Sequence, residues 1–81
     1  MTAEAGRLRW RCRRGAKELD LLLTAYLDRR YAQASLTQQQ TFQRLLDMPD
    51  PELLQLLFGT KVTDDPSVVD IVKTIREAAD H

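Results

Sequence analysis

The side chains best suited to chemistry are concentrated in one segment, RLRWRCRRGAKELD, which spans residues 7–20. Five arginines there surround Trp10 and Cys12, and Gly15 and Glu18 follow. Guanidinium groups bind carboxylates and phosphates through paired hydrogen bonds, and Trp and Arg are frequent anchors of protein interfaces. The segment therefore predicts a binding surface. A solvated basic face, with the tryptophan partly covering the core beside it, explains the same pattern equally well.

Groups for nucleophilic, acid–base or metal chemistry are sparse in the rest of the sequence. The single cysteine is Cys12, and the single histidine is His81, the last residue, which we expect to be frayed. The sequence has no Cys–His pair for nucleophilic catalysis, no carboxylate pair at a useful spacing and no glycine-rich phosphate loop. Asp64 and Asp65 fit a loop and a helix cap better than they fit metal ligands. We therefore predict no catalytic residue, no metal site and no enzymatic activity.

The charges are balanced in number and uneven in position. The 81 residues are 43% hydrophobic and 30% charged, which suits one domain near the lower size limit for a self-sufficient core. Residues 1–31 carry eight basic and four acidic side chains, and residues 32–81 carry four basic and eight acidic ones. A nucleic-acid-binding domain is usually strongly basic overall. Binding of RNA or DNA through Trp10 and its arginines therefore stays a weaker alternative.

Cysteine usage and hydropathy suggest a compartment. One cysteine excludes an intrachain disulfide, which fits a reducing environment. The sequence has no apolar run of transmembrane length, and its first residues lack the apolar centre of a signal peptide. We expect a cytoplasmic protein whose single domain spans residues 1–81, with residues 1–4 and 80–81 frayed.

Apolar residues at spacings of three and four predict helices after Gly15. The first of these spans residues 17–32. The next opens at Thr37, which forms a capping box with Gln40. Asp50 as cap and Pro51 at the first helical position start a short buried helix, and Gly59 ends it. The last helix starts with Asp65 and Pro66 and runs to Ala79. The inward residues of these helices are Leu19, Leu22, Leu23, Tyr26, Leu27, Phe42, Leu45, Leu46, Leu53, Leu54, Leu56, Leu57, Phe58, Val68, Ile71, Val72 and Ile75.

Residues 7–16, which we call the basic segment, begin with alternating charged and apolar residues, as a strand does, but a lone strand among helices has no pairing partner. We therefore predict a helix with Ala5, Leu8, Cys12 and Gly15 on its inner side. Trp10 then projects outward, with Arg13, Arg14 and Lys17 within a turn or two of it. Gly15 takes a positive φ to reverse the chain, and Arg14 pairs with Glu18 across that turn. The predicted fold is an all-α, single-domain bundle of about five helices.

The run WRCRRGAKELD resembles the signature of the SdhE/YgfY family of FAD assembly factors, which carry an Arg-Gly-x-x-Glu motif within a longer Trp-x-Cys-Arg-Arg-Gly-Met-x-Glu-Leu-Asp run. The resemblance continues through FQRLLDMPDPELL and the final helix. Ala16 stands where the family usually has methionine. Phe58 stands near a frequent tryptophan, which we interpret as a core substitution. The matching positions are Trp10, Cys12, Arg13, Arg14, Gly15, Glu18, Leu19 and Asp20.

The resemblance implies a five-helix bundle that helps FAD attach covalently to the flavoprotein subunit of succinate dehydrogenase, and of fumarate reductase. It places the flavin and the histidine that receives it on that client, so we expect no cofactor bound by this chain itself. We expect a monomer, with a weak dimer through Trp10 as the alternative. A different interaction module, antitoxin-like or related to cell shape, also stays open. The partner-binding residues that the family resemblance implies are Trp10, Arg13, Arg14, Gly15, Lys17 and Glu18.

Overall fold

The helical periodicity corresponds to five α-helices in the computed structural model, which describes residues 3–59 and 63–79. No strand occurs in either of these ranges, so the prediction of an all-α fold with about five helices is confirmed. A 3₁₀ turn, Tyr31–Gln33, follows the second helix. The helices are α1 (Ala3–Arg11), α2 (Lys17–Arg29), α3 (Leu36–Leu46), α4 (Asp50–Leu57) and α5 (Pro66–Ala79).

The core forms where α5 packs against α2, α3 and α4. Its centre is aromatic: the ring centroids of Tyr26 and Phe42 lie 4.7 Å apart, and Tyr31 packs against both rings from the rim. Because each helix buries one apolar stripe, the fold is held mainly by hydrophobic packing. The buried hydrophobic residues are Leu8, Cys12, Leu19, Leu23, Tyr26, Phe42, Leu45, Leu46, Leu53, Leu56, Leu57, Val68, Ile71, Ile75 and Ala78.

The first segment begins as a helix, as predicted, with Leu8 buried and Trp10 exposed, and Cys12, directly after this helix, is buried too. The predicted inner position of Gly15 was wrong, because α1 ends at Arg11 and Gly15 is exposed in the turn that follows. The predicted inward position of Ala5 lies outside the side chains that the structure describes. Residues 1, 2, 80 and 81 also lie outside the described ranges, and they include His81 and most of the residues predicted to be frayed. The second predicted helix is shorter than expected, because α2 ends at Arg29 and the chain continues into the 3₁₀ turn.

The start of α3 corrects the predicted capping box. Ser35 is the N-cap, and its hydroxyl accepts from the Gln38 backbone N–H at 3.1 Å. The Gln38 side chain in turn accepts from the Ser35 N–H at 3.1 Å. The predicted Thr37–Gln40 pair was wrong: SLTQQQ contains the same spacing twice, and Thr37 already lies inside the helix. The box therefore starts two residues earlier than predicted.

The boundaries of α4 also differ in detail. Pro49 is the N-cap, so Asp50 is the first helical residue and not the cap, and Pro51 is the second. Gly59 follows the end of α4 with a φ of 80°, which confirms its predicted place at the helix end. Phe58 is 49% exposed, so its predicted place in the core was wrong.

The start of α5 is as predicted. Asp65 directly precedes the helix, and its carboxylate accepts from the N–H of Ser67, in the first turn, at 2.9 Å. The helix ends at Ala79, also as predicted. Across the described ranges, none of the helices is both long and apolar enough to cross a bilayer.

Candidate functional site

The turn between α1 and α2, residues 12–16, reverses the chain at Gly15. Gly15 has a φ of 85°, a backbone conformation that glycine adopts without strain. A Cβ built at this position would meet no atom within 4 Å, so backbone conformation and not crowding favours glycine. The predicted positive φ is confirmed, and the exposed glycine leaves its backbone open to close approach.

Arg14 points toward its own chain. Its Nε donates to the Asp50 carboxylate at 2.8 Å, and Nη1 donates to the Leu46 carbonyl oxygen at 2.6 Å. Its Nη2 donates to the Met48 carbonyl. The Arg14 side chain is only 14% exposed. The predicted pairing with Glu18 was therefore wrong, and the expected place of Arg14 on the outward surface needs the same correction, because acceptors between α3 and α4 already occupy its guanidinium.

The backbone of Arg14 is held as well. Its N–H donates to the carboxylate of Asp20, which lies in the first turn of α2. An acidic side chain there is also favoured by the positive end of the helix dipole. Residue 14 is thus fixed through its backbone to α2 and through its side chain to the region between α3 and α4.

Two further arginines of the segment are paired within the chain. Arg9 forms an ion pair with Asp28. Arg11 pairs with Asp47 and also donates to the Gln43 carbonyl oxygen at 3.3 Å. Arg11, like Arg14, thereby meets an acidic residue of the second half of the sequence, whereas Asp28 belongs to the first half. The uneven charge distribution therefore serves, in large part, an internal contact.

The remaining predicted residues are exposed around the turn. Trp10 is 73% exposed, and Arg13, Gly15, Lys17 and Glu18 are exposed too. The side chains of Arg13, Lys17 and Glu18 form no hydrogen bond or ion pair with any other described residue. We call Trp10, Arg13, Gly15, Lys17 and Glu18 the turn surface. It combines a large aromatic ring with two cations and one carboxylate that are free with respect to residues 3–59 and 63–79, a composition suited to a macromolecular interface.

Cys12 sits beneath this surface and is fully buried. Burial raises the pKa of its thiol to about 11, although Arg9, Arg11 and Arg14 act in the opposite direction. A thiol with so high a pKa stays protonated at neutral pH and is a poor nucleophile. Cys12 therefore acts as a packing residue that anchors the turn to the core.

A metal site would need a cluster of ligating side chains, and a cofactor site would need a cavity. Within residues 3–59 and 63–79, no cluster of three or more His, Cys, Asp or Glu side chains is placed to hold a metal ion. Two open cavities, of about 310 and 220 Å³, lie elsewhere on the molecule and include no residue of the turn surface. These two cavities are therefore separate from the turn surface, whose composition is suited to docking.

The sequence was compared with protein families and with individual proteins of known name. Residues 6–79 match the family described as flavinator of succinate dehydrogenase. The chain belongs to this flavinator family. The match includes the complete turn surface and the paired arginines Arg9, Arg11 and Arg14, and it confirms the family resemblance identified from the WRCRRGAKELD run.

Individual relatives in the flavinator family are named FAD assembly factor SdhE. The relative from Xylella fastidiosa (strain 9a5c) is 46% identical over 74 residues, which cover 91% of this chain and 76% of the relative. The one from Methylococcus capsulatus is 38% identical over 74 residues, covering 91% and 89%. The one from Coxiella burnetii is 32% identical over 71 residues, covering 88% and 87%. All three are named as factors and not as enzymes.

Sequence reasoning missed the residues that hold the site in place. Asp20, Asp47 and Asp50 fix Arg11 and Arg14, and none of the three was predicted in that role. For Asp47 and Asp50 the available signal was the acidic excess after residue 31, concentrated in part at the DMPD sequence. In the structure these two carboxylates pair with Arg11 and Arg14 of the same chain.

Proposed function

We propose that this chain binds the flavoprotein subunit of succinate dehydrogenase, and that of fumarate reductase, and promotes the covalent attachment of FAD. The observation that carries the proposal is the exposed turn surface, whose charged side chains have no partner among the described residues, in a chain of the flavinator family. Such a surface is suited to protein binding, because an exposed indole and cations without internal partners gain contacts only on association.

Each residue of the turn surface has a distinct role in this proposal. Trp10 supplies buried apolar area, and Arg13 and Lys17 meet acidic or carbonyl groups of the client. Gly15 allows the two backbones to approach closely, because it carries no side chain. Glu18 accepts a hydrogen bond from the client. Arg14, whose guanidinium is bound internally, supports this surface from below.

The mechanism we propose is a population shift and not catalysis by this chain. We place the flavin, and the histidine to which it becomes linked, on the client. A factor that binds the client more tightly when these groups are aligned raises the population of that arrangement. Alignment of reacting groups alone accelerates bond formation strongly. The proposed factor therefore contributes binding energy and no reactive group, and it is not an enzyme.

The internal ion pairs speak against the nucleic-acid alternative. Phosphate binding depends on free guanidinium and ammonium groups. Arg9, Arg11 and Arg14 are instead paired with carboxylates, which repel a phosphate backbone. The two free cations of the turn surface are few for a nucleic-acid interface, in which several phosphates are contacted at once.

The test compares Trp10→Ala with Leu36→Ala. The two side chains are similarly exposed, at 73% and 70%, but Leu36 begins α3 and is not part of the turn surface. Each variant replaces the native copy in cells, and covalent flavin on the flavoprotein subunit is measured by its fluorescence in denaturing gels. We expect Trp10→Ala to reduce flavinylation and Leu36→Ala to leave it unchanged.

Binding of the purified flavoprotein subunit gives the matching measurement. An interface anchor contributes about 2 kcal/mol or more, so Trp10→Ala should weaken binding by roughly 30-fold. Unchanged binding and normal flavinylation in Trp10→Ala would contradict the proposal. A salt-titrated gel shift with single-stranded RNA checks the alternative, and we expect no complex at physiological salt.

A further inference from the structure

We propose that Arg14 is a positioning residue that fastens the α1–α2 turn to the α3–α4 corner, residues 46–50, and so fixes the turn surface for partner binding. Its functional readout rests on the proposed function above. The inference deepens that proposal because it assigns Arg14 and Asp50 a role that requires no contact with the client.

The first line of support is the occupancy of the guanidinium. Its three nitrogens donate to three separate acceptors: the carboxylate of Asp50 and the carbonyl oxygens of Leu46 and Met48. A client carboxylate could bind Arg14 only by displacing these groups from a side chain that is 14% exposed. Charge-assisted bonds of this kind are among the stronger ones in proteins, so the internal arrangement is favoured.

The second line is the end of α3. The last four carbonyls of a helix have no partner within it. Here the carbonyls of Arg44 and Leu45 accept from the backbone N–H groups of Asp47 and Met48. The two that remain accept from arginines of the basic segment: Gln43 from Arg11 at 3.3 Å and Leu46 from Arg14 at 2.6 Å. The basic segment therefore caps α3, and cations at a helix C-terminus are also favoured by its dipole.

The third line is the start of α4. Asp50 is the first residue of this helix, where a carboxylate is favoured by the positive end of the dipole. Its carboxylate accepts from Arg14 Nε at 2.8 Å. One planar guanidinium thus connects the end of α3 to the beginning of α4. A lysine carries the same charge but lacks this fixed fork of donors, so it can replace only part of the connection.

The connection reaches the turn surface through the backbone. Arg14 precedes Gly15, and its own N–H is held by Asp20 in α2. With residue 14 fixed from both sides, Gly15 and Glu18 have a defined position relative to the core. Loss of the side-chain connection would release the turn while α2 to α5 keep their packing.

The experiment measures two properties of Arg14→Ala, Arg14→Lys, Asp50→Ala and the double variant Arg14→Ala/Asp50→Ala. The first is amide hydrogen exchange of residues 13–18 in the free protein. The second is affinity for the purified flavoprotein subunit, at a temperature where each variant is folded. The control is Arg44→Ala, which removes an exposed arginine that pairs with Asp65 at 3.5 Å and takes no part in the Arg14 connection.

We expect Asp50→Ala to speed exchange in residues 13–18 and to weaken client binding by tenfold or more, as Arg14→Ala does. The double variant should be no worse than Arg14→Ala alone, because both changes remove one connection. Compared with Arg14→Ala, Arg14→Lys should partly restore both the slow exchange and the client affinity. Arg44→Ala should change neither property.

Two results would overturn the inference. Exchange in residues 13–18 that stays at the wild-type rate in Asp50→Ala and Arg14→Lys would show that the turn does not depend on the connection. Wild-type client affinity in Asp50→Ala, with loss in Arg14→Ala, would show that Arg14 contacts the client directly. Absence of client binding by the wild-type chain would instead refute the proposed function, and the exchange rates alone would then decide the role of Arg14.

Discussion

The α2–α5 core and the basic segment, residues 7–16, are held in place by different forces. The core is held by apolar stripes around Tyr26 and Phe42, which bury surface without demanding exact directions. The basic segment buries Leu8 and Cys12 and is otherwise held by directional bonds from its arginines to the rest of the chain. The contrast shows how a charged segment can be ordered by its own fold and still leave a selected few charged groups exposed.

The largest expected effect tests whether global stability lies in the core. Phe42 is fully buried and packs against the rings of Tyr26 and Tyr31, so Phe42→Ala should lower the free energy of unfolding by about 3–5 kcal/mol. Urea unfolding measures the change, with the exposed Leu36→Ala as control within about 0.5 kcal/mol. A loss below about 1 kcal/mol in Phe42→Ala would break the comparison, because the core would then not dominate stability.

Substitutions at two glycines are expected to cause intermediate losses of stability, and they test the turn separately from the rest of the fold. Gly15 and Gly59 have φ values of 85° and 80°, and a Cβ at either position would meet no atom within 4 Å. Gly15→Ala and Gly59→Ala should therefore each lower the free energy of unfolding by about 1–2 kcal/mol, through backbone strain alone.

Only one of these two changes falls on the turn surface. Gly15→Ala should reduce flavinylation of the client, measured by covalent flavin fluorescence, and Gly59→Ala should leave it normal at the same loss of stability. Equal flavinylation in the two variants would show that the turn has no role beyond stability.

The smallest effect concerns Cys12, which belongs to the basic segment and is buried in the core. Burial raises the pKa of Cys12 from 9.0 to about 11, so the unfolded chain loses the thiol proton at a lower pH than the folded chain does. The stabilising contribution is complete below pH 9 and is lost as the pH rises through 11. At pH 10 the wild type should have lost about 1 kcal/mol more than Cys12→Ala, relative to pH 7.

Urea unfolding of both proteins at pH 7 and pH 10 measures this difference. Burial also raises the pKa of Tyr26 to about 12, but that residue is present in both proteins and its effect cancels. Parallel loss of stability in the wild type and Cys12→Ala would show that the thiol is not sealed within the core.

The helices were predictable because their signals are local. Apolar residues at spacings of three and four gave the inward faces, and Asp65 with Pro66 gave the start of α5. The errors arose where two residues carried equal local signals. Ser35 and Thr37 offer the same capping spacing, and the local pattern does not distinguish between them, whereas in the structure Ser35 is the cap.

The candidate site was predictable in part, for a related physical reason. The helical pattern placed Trp10 opposite Leu8 and Cys12, and the exposed indole follows directly. The position of Arg14 did not follow, because its acceptors lie 32 to 36 residues away in the sequence. Spacing within the turn suggested Glu18 as the nearest carboxylate, whereas the tertiary fold brings Asp50 closer.

The arginine caps at the end of α3 have a consequence for the order of events during synthesis. All residues of the turn surface are made before residue 20, but the carbonyls and carboxylate that hold Arg14 belong to residues 46–50. A nascent chain that has emerged only through α2 carries the whole motif without the groups that fix it. Under the proposed function, the turn surface is therefore fixed for its client only after residues 46–50 have been translated.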